Sequence, residues 1–436
     1  MSGIKILNYE LSPSPATIFG CLLPAPWLGV LAGMLLAFSN SSGLPDRFSP
    51  LVLAVTHCLV LGMLAPVMIG ALFQLMPVVG GQTVAAARCI TPFVALGSAF
   101  IVMGLTAGFL SGEIRGFQLA IGVALPLYAA VIAALGMAAW RISVVDTTTR
   151  TLRWIALAFT MVVTLGIAMA GSFAGWWQID VLRLLDLHVT WGLLGWIGTL
   201  VVGIASTTVP MFWQTLRPGK HWKKYLPGCL WLPLLVAIFP PLWSLALILS
   251  CLVVIVVAGV ALYAVWQAKR RFDPTWLLWL VCALSWLGAA LLVLMLGLFS
   301  PYLPASVKLI FPWWIGVLTL VGGAVLPVNA MLGKIIPFLV FIHLRRQTPT
   351  GRRVPTMQVI LAPQRVLLQA RVVLLALVLL LLLPFCPSVL AMLAGLAFAA
   401  SQGLLGILLI LSLLRYRREL QAVLFPAGIS DIPQKN

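Results

Sequence analysis

The sequence predicts an all-α polytopic membrane protein, a single membrane domain over residues 1–436 with twelve transmembrane helices in three pseudo-symmetric four-helix units. Hydrophobic residues make up 62% of the chain and charged residues 8%, and the mean hydropathy is +1.12, which excludes a water-soluble surface of this length. The apolar residues form continuous runs of about 20 residues, the length that a helix needs to cross a bilayer. A β-barrel would instead require alternation.

Twelve apolar runs define the predicted spans. Pro240 and Pro241 divide two runs that would otherwise form one segment, so we expect a tight external turn there. The start, MSGIKILNYELSPSPATIF, lacks the short apolar core and cleavage site of a removable signal, so we expect a true N-terminal tail. The predicted spans are 17–38, 51–79, 90–111, 117–140, 154–176, 186–213, 226–240, 242–268, 275–298, 307–343, 368–385 and 387–415, and the repeat units are 17–140, 154–268 and 275–415.

Topology explains the net charge of +18 better than a nucleic-acid partner does. With twelve spans, the basic loops follow spans four, six, eight, ten and twelve, whereas the opposite side holds only Arg47, Arg115, Arg183 and Lys308. The positive-inside rule then places the basic side and both termini in the cytoplasm. We therefore expect a lipid bilayer as the environment, in a bacterial inner membrane, and no nucleic-acid partner. Attraction to anionic lipid is a secondary effect of the same charges.

Few polar residues lie inside the predicted spans. The seven cysteines show no CxxC spacing, so we expect neither a disulfide framework nor a thiolate zinc site. The carboxylates fall at span ends or in loops, which leaves no candidates for a proton path. Lys334 is the one buried-looking charge, and we expect its side chain to snorkel to the cytoplasmic interface. Contact with an anion, a quinone headgroup or a proton is the alternative.

The second span, THCLVLGMLAPVMIGALFQLMPVVGG, recurs in the sixth, LHVTWGLLGWIGTLVVGIASTTVPMF. One constant offset, without a gap, pairs Gly62 with Gly195, Gly70 with Gly203 and Pro77 with Pro210. A second, slightly shorter shift carries Pro210 to Pro337 and Gly195 to Gly322 in the tenth span. The landmarks thus recur every four spans, which indicates three four-helix units. Chance alignment is the alternative, because glycine and proline are common in membrane helices.

These features resemble a known family. Twelve spans in three four-helix units, cytoplasmic termini and a histidine near the outer end of the second span, His57, are similar to the catalytic subunit of haem–copper oxidases. They also resemble its smaller NnrS-type relatives, which bind haem and copper without being respiratory oxidases. The resemblance covers nearly the whole chain as architecture. In sequence it rests on His57, His188 and the glycine and proline landmarks.

The histidine count limits what the resemblance implies. An oxidase of this family needs about six histidines for two haems and a copper ion, and this chain has four. His221 lies in a basic cytoplasmic loop and His343 at the cytoplasmic end of the tenth span, so only His57 and His188 remain at the outer level. The resemblance therefore implies haem, or alternatively copper, bound by His57 and His188 without an oxygen-reducing centre. We do not expect a functional terminal oxidase.

Helix geometry leaves the relation of the two histidines open. After alignment of the repeats they differ by two residues, about 3 Å in depth and about 200° around the helix. They can face each other across one cavity or diverge. The alternative to a metal site is a purely structural role, in which each imidazole makes only interhelical or capping hydrogen bonds. Asp186 would then be a partner for His188 or for the end of its helix.

Other residues near this level have two interpretations. The tryptophans can wall a macrocycle or form the interfacial belt, which is their commoner role; they are Trp191, Trp196, Trp313 and Trp314. Cys58, Met63 and Met68 include soft donors that suit copper(I). Cys58, however, points about 100° away from His57 on a helix, and methionines are more often packing residues.

The sequence therefore favours an oxidase-like haem-binding protein that supports electron transfer, respiratory-enzyme function or a response to nitric oxide, with respiratory or assembly proteins as partners. A transporter or permease is the runner-up, although transporters usually show two-fold inverted repeats. A cofactor-free assembly factor is a third possibility.

Reporter fusions test the predicted topology. Fusions after Arg150, Lys224 and Arg353 should behave as cytoplasmic, and fusions near Asp46 or Asp180 as external, because the basic residues sort in that way. Alkaline phosphatase and green fluorescent protein activities of the fusions provide the measurement. A cytoplasmic signal at Asp180 would contradict the three-repeat scheme.

Overall fold

The computed structural model describes residues 9–143, 147–217, 219–349 and 351–424. The structure is 85% helical, and the described residues contain no strand. Eleven helices among them are long and apolar enough to cross a membrane, so the chain is an all-α integral membrane protein. They are α1 (Pro15–Phe38), α2 (Pro50–Gly80), α3 (Ala87–Ser111), α4 (Ile114–Trp140), α5 (Thr147–Phe173), α6 (Val181–Trp213), α7 (Pro240–Trp266), α8 (Trp276–Tyr302), α9 (Ala305–Gln347), α10 (Pro363–Phe385) and α11 (Pro387–Val423).

Eleven of the predicted spans coincide with these helices to within a few residues at most ends. The seventh, 226–240, contains only the nine-residue helix Gly228–Val236, which is too short to cross a bilayer by itself. Pro233 lies inside this helix, and Pro240 begins the next element. Proline removes a backbone donor and disturbs a regular helix, which accounts for the interruption.

Three of the long helices contain a π-helical segment. The segments are Cys58–Leu64 in α2, Trp191–Gly198 in α6 and Val317–Val325 in α9. They contain Gly62, Gly195 and Gly322, so they follow the spacing of the aligned glycines. A π turn adds a residue to the helix and is often found at functional sites. The glycine spacing identifies the repeated helices, but it does not by itself predict that they contain π-helical segments.

Close backbone contacts hold neighbouring helices together. The first and last helices pack against each other, and a Cβ atom added at Gly33 of α1 would lie 2.6 Å from the carbonyl oxygen of Gly395 in α11. In the same way, a Cβ atom at Gly116 of α4 would lie 2.5 Å from the carbonyl oxygen of Gly104 in α3. Helices in lipid associate mainly through packing, so small residues at their interfaces allow the backbones to approach.

An ion pair fixes the far end of α9 to a loop. The ammonium group of Lys334 contacts the carboxylate of Asp273, which precedes α8. The other carboxylate oxygen of Asp273 accepts hydrogen bonds from the backbone N–H and the hydroxyl of Thr275. The sequence predicts that Lys334 snorkels to the cytoplasmic interface, and in the structure its side chain pairs with Asp273 in the loop between α7 and α8.

The contact between α3 and α4 leads to a matched substitution test. Gly116→Val places a side chain against the backbone of α3, and overpacking of this kind costs about 1–3 kcal/mol. The midpoint of thermal unfolding in detergent should therefore fall. Size-exclusion chromatography of samples heated to different temperatures provides the measurement. Gly122→Val on the same helix is the control, because nothing lies within 4 Å of a Cβ atom there. Equal midpoints for the two variants would contradict the close contact.

Candidate functional site

His57 lies in α2 immediately before the π-helical segment. Its Nδ1 atom is 2.8 Å from the carbonyl oxygen of Leu53, one turn earlier in the same helix. A carbonyl oxygen only accepts hydrogen bonds, so Nδ1 carries the proton and Nε2 keeps its lone pair. The imidazole is half-buried, and its ring centroid lies 5.2 Å from that of Phe109 in α3.

His188 is held by a neighbouring helix instead of its own. Its Nδ1 atom lies 3.1 Å from the carbonyl oxygen of Val162 in α5. Gly166, four residues later in α5, faces the same ring, because a Cβ atom there would lie 3.1 Å from Cε1 of His188. The carbonyl of residue i normally bonds to the N–H of residue i+4, and the absence of a side chain at Gly166 leaves that carbonyl accessible to the imidazole. The Nε2 atom of His188 is thus also left with a lone pair.

The structure brings the two histidines together. Their ring centroids are 6.5 Å apart, and the ring planes lie within 15° of each other. Each histidine is the eighth residue of its helix, since α2 begins at Pro50 and α6 at Val181. Of the two arrangements that the sequence left open, the structure has the one in which the rings face a common space. Both imidazoles are half-buried, and Val181–Thr190 contains no buried side chain.

This separation fits two axial ligands on one metal. With metal–nitrogen bonds of about 2 Å and about 1.1 Å from nitrogen to ring centre, two imidazoles in line on one ion have centroids about 6 Å apart. In histidine-ligated sites the second ring nitrogen usually donates to a carbonyl or carboxylate, which fixes tautomer and orientation. His57 and His188 both have this partner. The residues present therefore fit haem iron with two histidine ligands.

No further metal donor joins the pair. The described residues contain no group of three or more His, Cys, Asp or Glu side chains that could hold a metal ion. The thiol of Cys58 is buried and donates to the carbonyl oxygen of Leu28, 3.2 Å away. Met63 is also fully buried and packs against Gly29. Two imidazoles without a third protein ligand suit haem, which supplies four nitrogens of its own, better than copper held by the protein alone.

Aromatic side chains close the site on one side. Phe109 contacts His57 and also Phe117 and Phe173, with ring centroids 5.3 Å and 6.3 Å away. Phe117 and Phe173 lie 5.3 Å apart. These three phenylalanines come from α3, α4 and α5, and they form an apolar wall beside the imidazole. Sequence reasoning missed them, together with Val162 and Gly166.

Three of the four tryptophans expected at this level are buried. They are Trp191, Trp196 and Trp313, and Trp314 is half-buried. The indole N–H groups of Trp313 and Trp314 donate to the carbonyl oxygens of Leu380 and Leu381 in α10, each at 2.8 Å. These two hydrogen bonds join α9 to α10 inside the protein. None of the four tryptophans makes a ring contact with either histidine among the aromatic contacts of the described residues.

The remaining candidates lie outside the site. The side chain of Asp186 does not hold His188, whose Nδ1 atom bonds to Val162; Asp186 instead lies close enough to Arg47 for electrostatic interaction. His343 is buried in α9 and hydrogen-bonds to the backbone of Pro13. His221 is exposed beside a surface groove. Two of the four histidines therefore form the site and two do not.

No protein-family model matches the chain, and no curated protein is significantly similar to it. The function therefore has to be inferred from the fold and from the geometry of the site.

Proposed function

We propose that this chain is a haem-binding, oxidase-like integral membrane protein that lacks a complete oxygen-reducing centre. His57 and His188 would together hold one haem. The observation that carries the proposal is the pair of near-parallel imidazoles, 6.5 Å apart, each oriented by a backbone carbonyl. The proposal agrees with the resemblance to haem–copper oxidases and their NnrS-type relatives.

Two histidine ligands favour electron transfer over the other roles considered. A haem held by His57 and His188 would supply one-electron chemistry. The hydrogen bonds to the carbonyl oxygens of Leu53 and Val162 would keep both imidazoles in place, which favours electron transfer over the binding of nitric oxide or dioxygen. Respiratory electron donors and acceptors are the class of partner that such a site would serve.

Twelve crossings agree with the contacts between loops better than eleven do. The backbone N–H groups of Lys269 and Arg270, just after α7, donate to the carbonyl oxygens of Gln214 and Trp213 at the end of α6. Both helices therefore end on the same side. Since α7 is 27 residues long, or about 40 Å, residues 214–239 have to cross in the opposite direction.

The short helix Gly228–Val236 supports that crossing. Within it, the indole N–H of Trp231 donates to the hydroxyl of Thr199 in α6, 3.1 Å away, and Leu230 packs with Val257 of α7. The broken segment thus lies between its neighbours at membrane depth. These contacts support our proposal that the chain crosses the membrane twelve times.

The π-helical segments support the three four-helix units. They lie in α2, α6 and α9, which are the helices that carry the glycine and proline landmarks. A backbone irregularity and a sequence pattern therefore recur together, once in each unit. We further propose a bacterial inner-membrane location with both termini cytoplasmic, on the grounds of the basic loops; residues 1–8 and 425–436 lie outside the described residues.

Absorbance of the purified protein tests the haem proposal. Protein expressed with ample haem should show a Soret band and the visible bands of a six-coordinate, low-spin haem. His57→Ala and His188→Ala should each abolish the six-coordinate spectrum, because each removes one axial ligand. His221→Ala is the control and should leave the spectrum unchanged, since His221 lies outside the site.

Three outcomes would contradict the proposal. Absence of both a Soret band and bound copper in the wild-type protein would leave His57 and His188 as hydrogen-bonded helix residues of a permease or assembly factor. Copper without haem would mean that the pair binds a different metal. An unaltered spectrum in His188→Ala would mean that the two imidazoles do not share one iron.

A measurement of oxygen consumption tests the expectation that the protein lacks an oxygen-reducing centre. Membranes that contain this protein as the only candidate oxidase should not consume dioxygen above background with a quinol or a cytochrome donor, because the two remaining histidines, His221 and His343, lie outside the site and are too few for a second haem and copper. An oxygen electrode provides the measurement, and membranes without the protein are the control. Robust turnover that cyanide inhibits would show that the ligands have been assigned wrongly.

A further inference from the structure

A groove lies beside the short helix Lys220–Tyr225, and neither His57 nor His188 lines it. It has a volume of about 380 Å³ and is open on one side. Its lining residues are His221, Trp222, Tyr225, Leu226, Cys229, Leu252, Val253, Val256 and Val257. Leu252 and Val256 of α7 are 50% and 57% exposed, so the groove opens where α7 presents its apolar surface to lipid.

Positive charge surrounds the mouth of the groove. The ammonium group of Lys224 lies 5.4 Å from the ring centroid of Tyr225, which lines the groove. The guanidinium group of Arg150 donates to the carbonyl oxygen of Lys224 and fixes the helix to α5. Between Asp186 and Asp273 the sequence contains no aspartate or glutamate. An anion at this position therefore meets cationic groups with no carboxylate nearby in the chain.

The contacts of the groove place it level with the start of α5, and the basic residues Arg150 and Arg153 there favour a position at the membrane interface. Trp222 packs in a cluster with Val202 of α6 and Val253 of α7. One residue further along α6, the carbonyl of Gly203 accepts a hydrogen bond from Thr148, in the first turn of α5. The groove is thus level with the start of α5, on the side of the basic loops. Tryptophan and tyrosine are enriched at this depth, where short amphipathic helices also lie.

We propose that the groove binds one anionic phospholipid from the leaflet on the side of the basic loops. An acyl chain lies along Leu252 and Val256 beneath Trp222 and Tyr225, and the headgroup phosphate lies beside Lys224 and His221. The apolar lining accounts for the acyl chain, and the cationic side chain of Lys224 at the mouth accounts for the selection of an anionic headgroup. The site is independent of haem binding.

Alkylation of cysteine tests this proposal without any substitution. Cys229 is exposed and lines the groove, whereas Cys89 and Cys386 are exposed elsewhere. Full-length protein in detergent is treated with N-ethylmaleimide in the presence of dioctanoyl phosphatidylglycerol or dioctanoyl phosphatidylcholine, and labelling is followed by peptide mass spectrometry. Phosphatidylglycerol should slow the labelling of Cys229 severalfold more than phosphatidylcholine does. Cys89 and Cys386 should react equally with either lipid.

Substitutions separate the two parts of the site. Lys224→Gln combined with His221→Gln should remove the difference between the two lipids, and Lys308→Gln, among the residues of the opposite side, is the control. Val256→Trp should fill the groove and protect Cys229 without lipid, whereas Val260→Trp, one turn further along α7, should not. Equal protection by both lipids in the wild-type protein, no protection by either, or selectivity that persists in the doubly substituted variant would overturn the proposal.

Discussion

Polar groups inside a bilayer can find hydrogen-bond partners only within the protein, and the spans of this chain show how that constraint is met. Side chains donate repeatedly to backbone carbonyls. The indole of Trp286 donates to Gly323 in the π-helical segment of α9, at 3.1 Å, and the hydroxyl of Thr199 donates to Leu194 in that of α6, at 2.8 Å. The imidazoles of His57 and His188 follow the same pattern.

For the histidines, this solution has a chemical result. When Nδ1 donates to a carbonyl, the lone pair remains on Nε2, so a group that hydrocarbon makes costly keeps a lone pair of fixed orientation, which is what a metal ligand requires. Asp273 and Lys334 show the other solution, in which two opposite charges are placed together. The polar residues of the spans therefore join neighbouring helices through hydrogen bonds and ion pairs, and they also orient the two imidazoles of the candidate site.

The sequence was sufficient where length and composition decide the structure. Apolar runs of about 20 residues predicted eleven helices in the right places, because such runs have few alternatives in lipid. It did not show that 226–240 forms only a short helix, because Pro233 interrupts a run that is barely long enough. It did not show the ion pair of Lys334, because the partner, Asp273, lies 61 residues away in the chain. It also did not show the hydrogen bonds of Trp313 and Trp314, because their partners are backbone carbonyls of α10.

The orientation of His57 and His188 was beyond the sequence for a specific reason. A regular helix rotates by about 100° per residue, and each π turn adds a residue, so a helical wheel drawn through Cys58–Leu64 or Trp191–Gly198 gives the wrong direction for everything beyond it. Glycine occurs in all three segments, at Gly62, Gly195 and Gly322 among others. That recurrence identified the repeat, but it does not reveal how far the helix turns.

The two imidazoles also differ in when they become oriented during biogenesis. The carbonyl that holds His57 belongs to Leu53 in the same helix, so this ring is in place as soon as α2 has formed. The carbonyl that holds His188 belongs to Val162, and this ring is in place only after α5 and α6 have left the translocon and packed together. Any cofactor that needs both rings can therefore be inserted only into a chain in which α5 and α6 have already packed together.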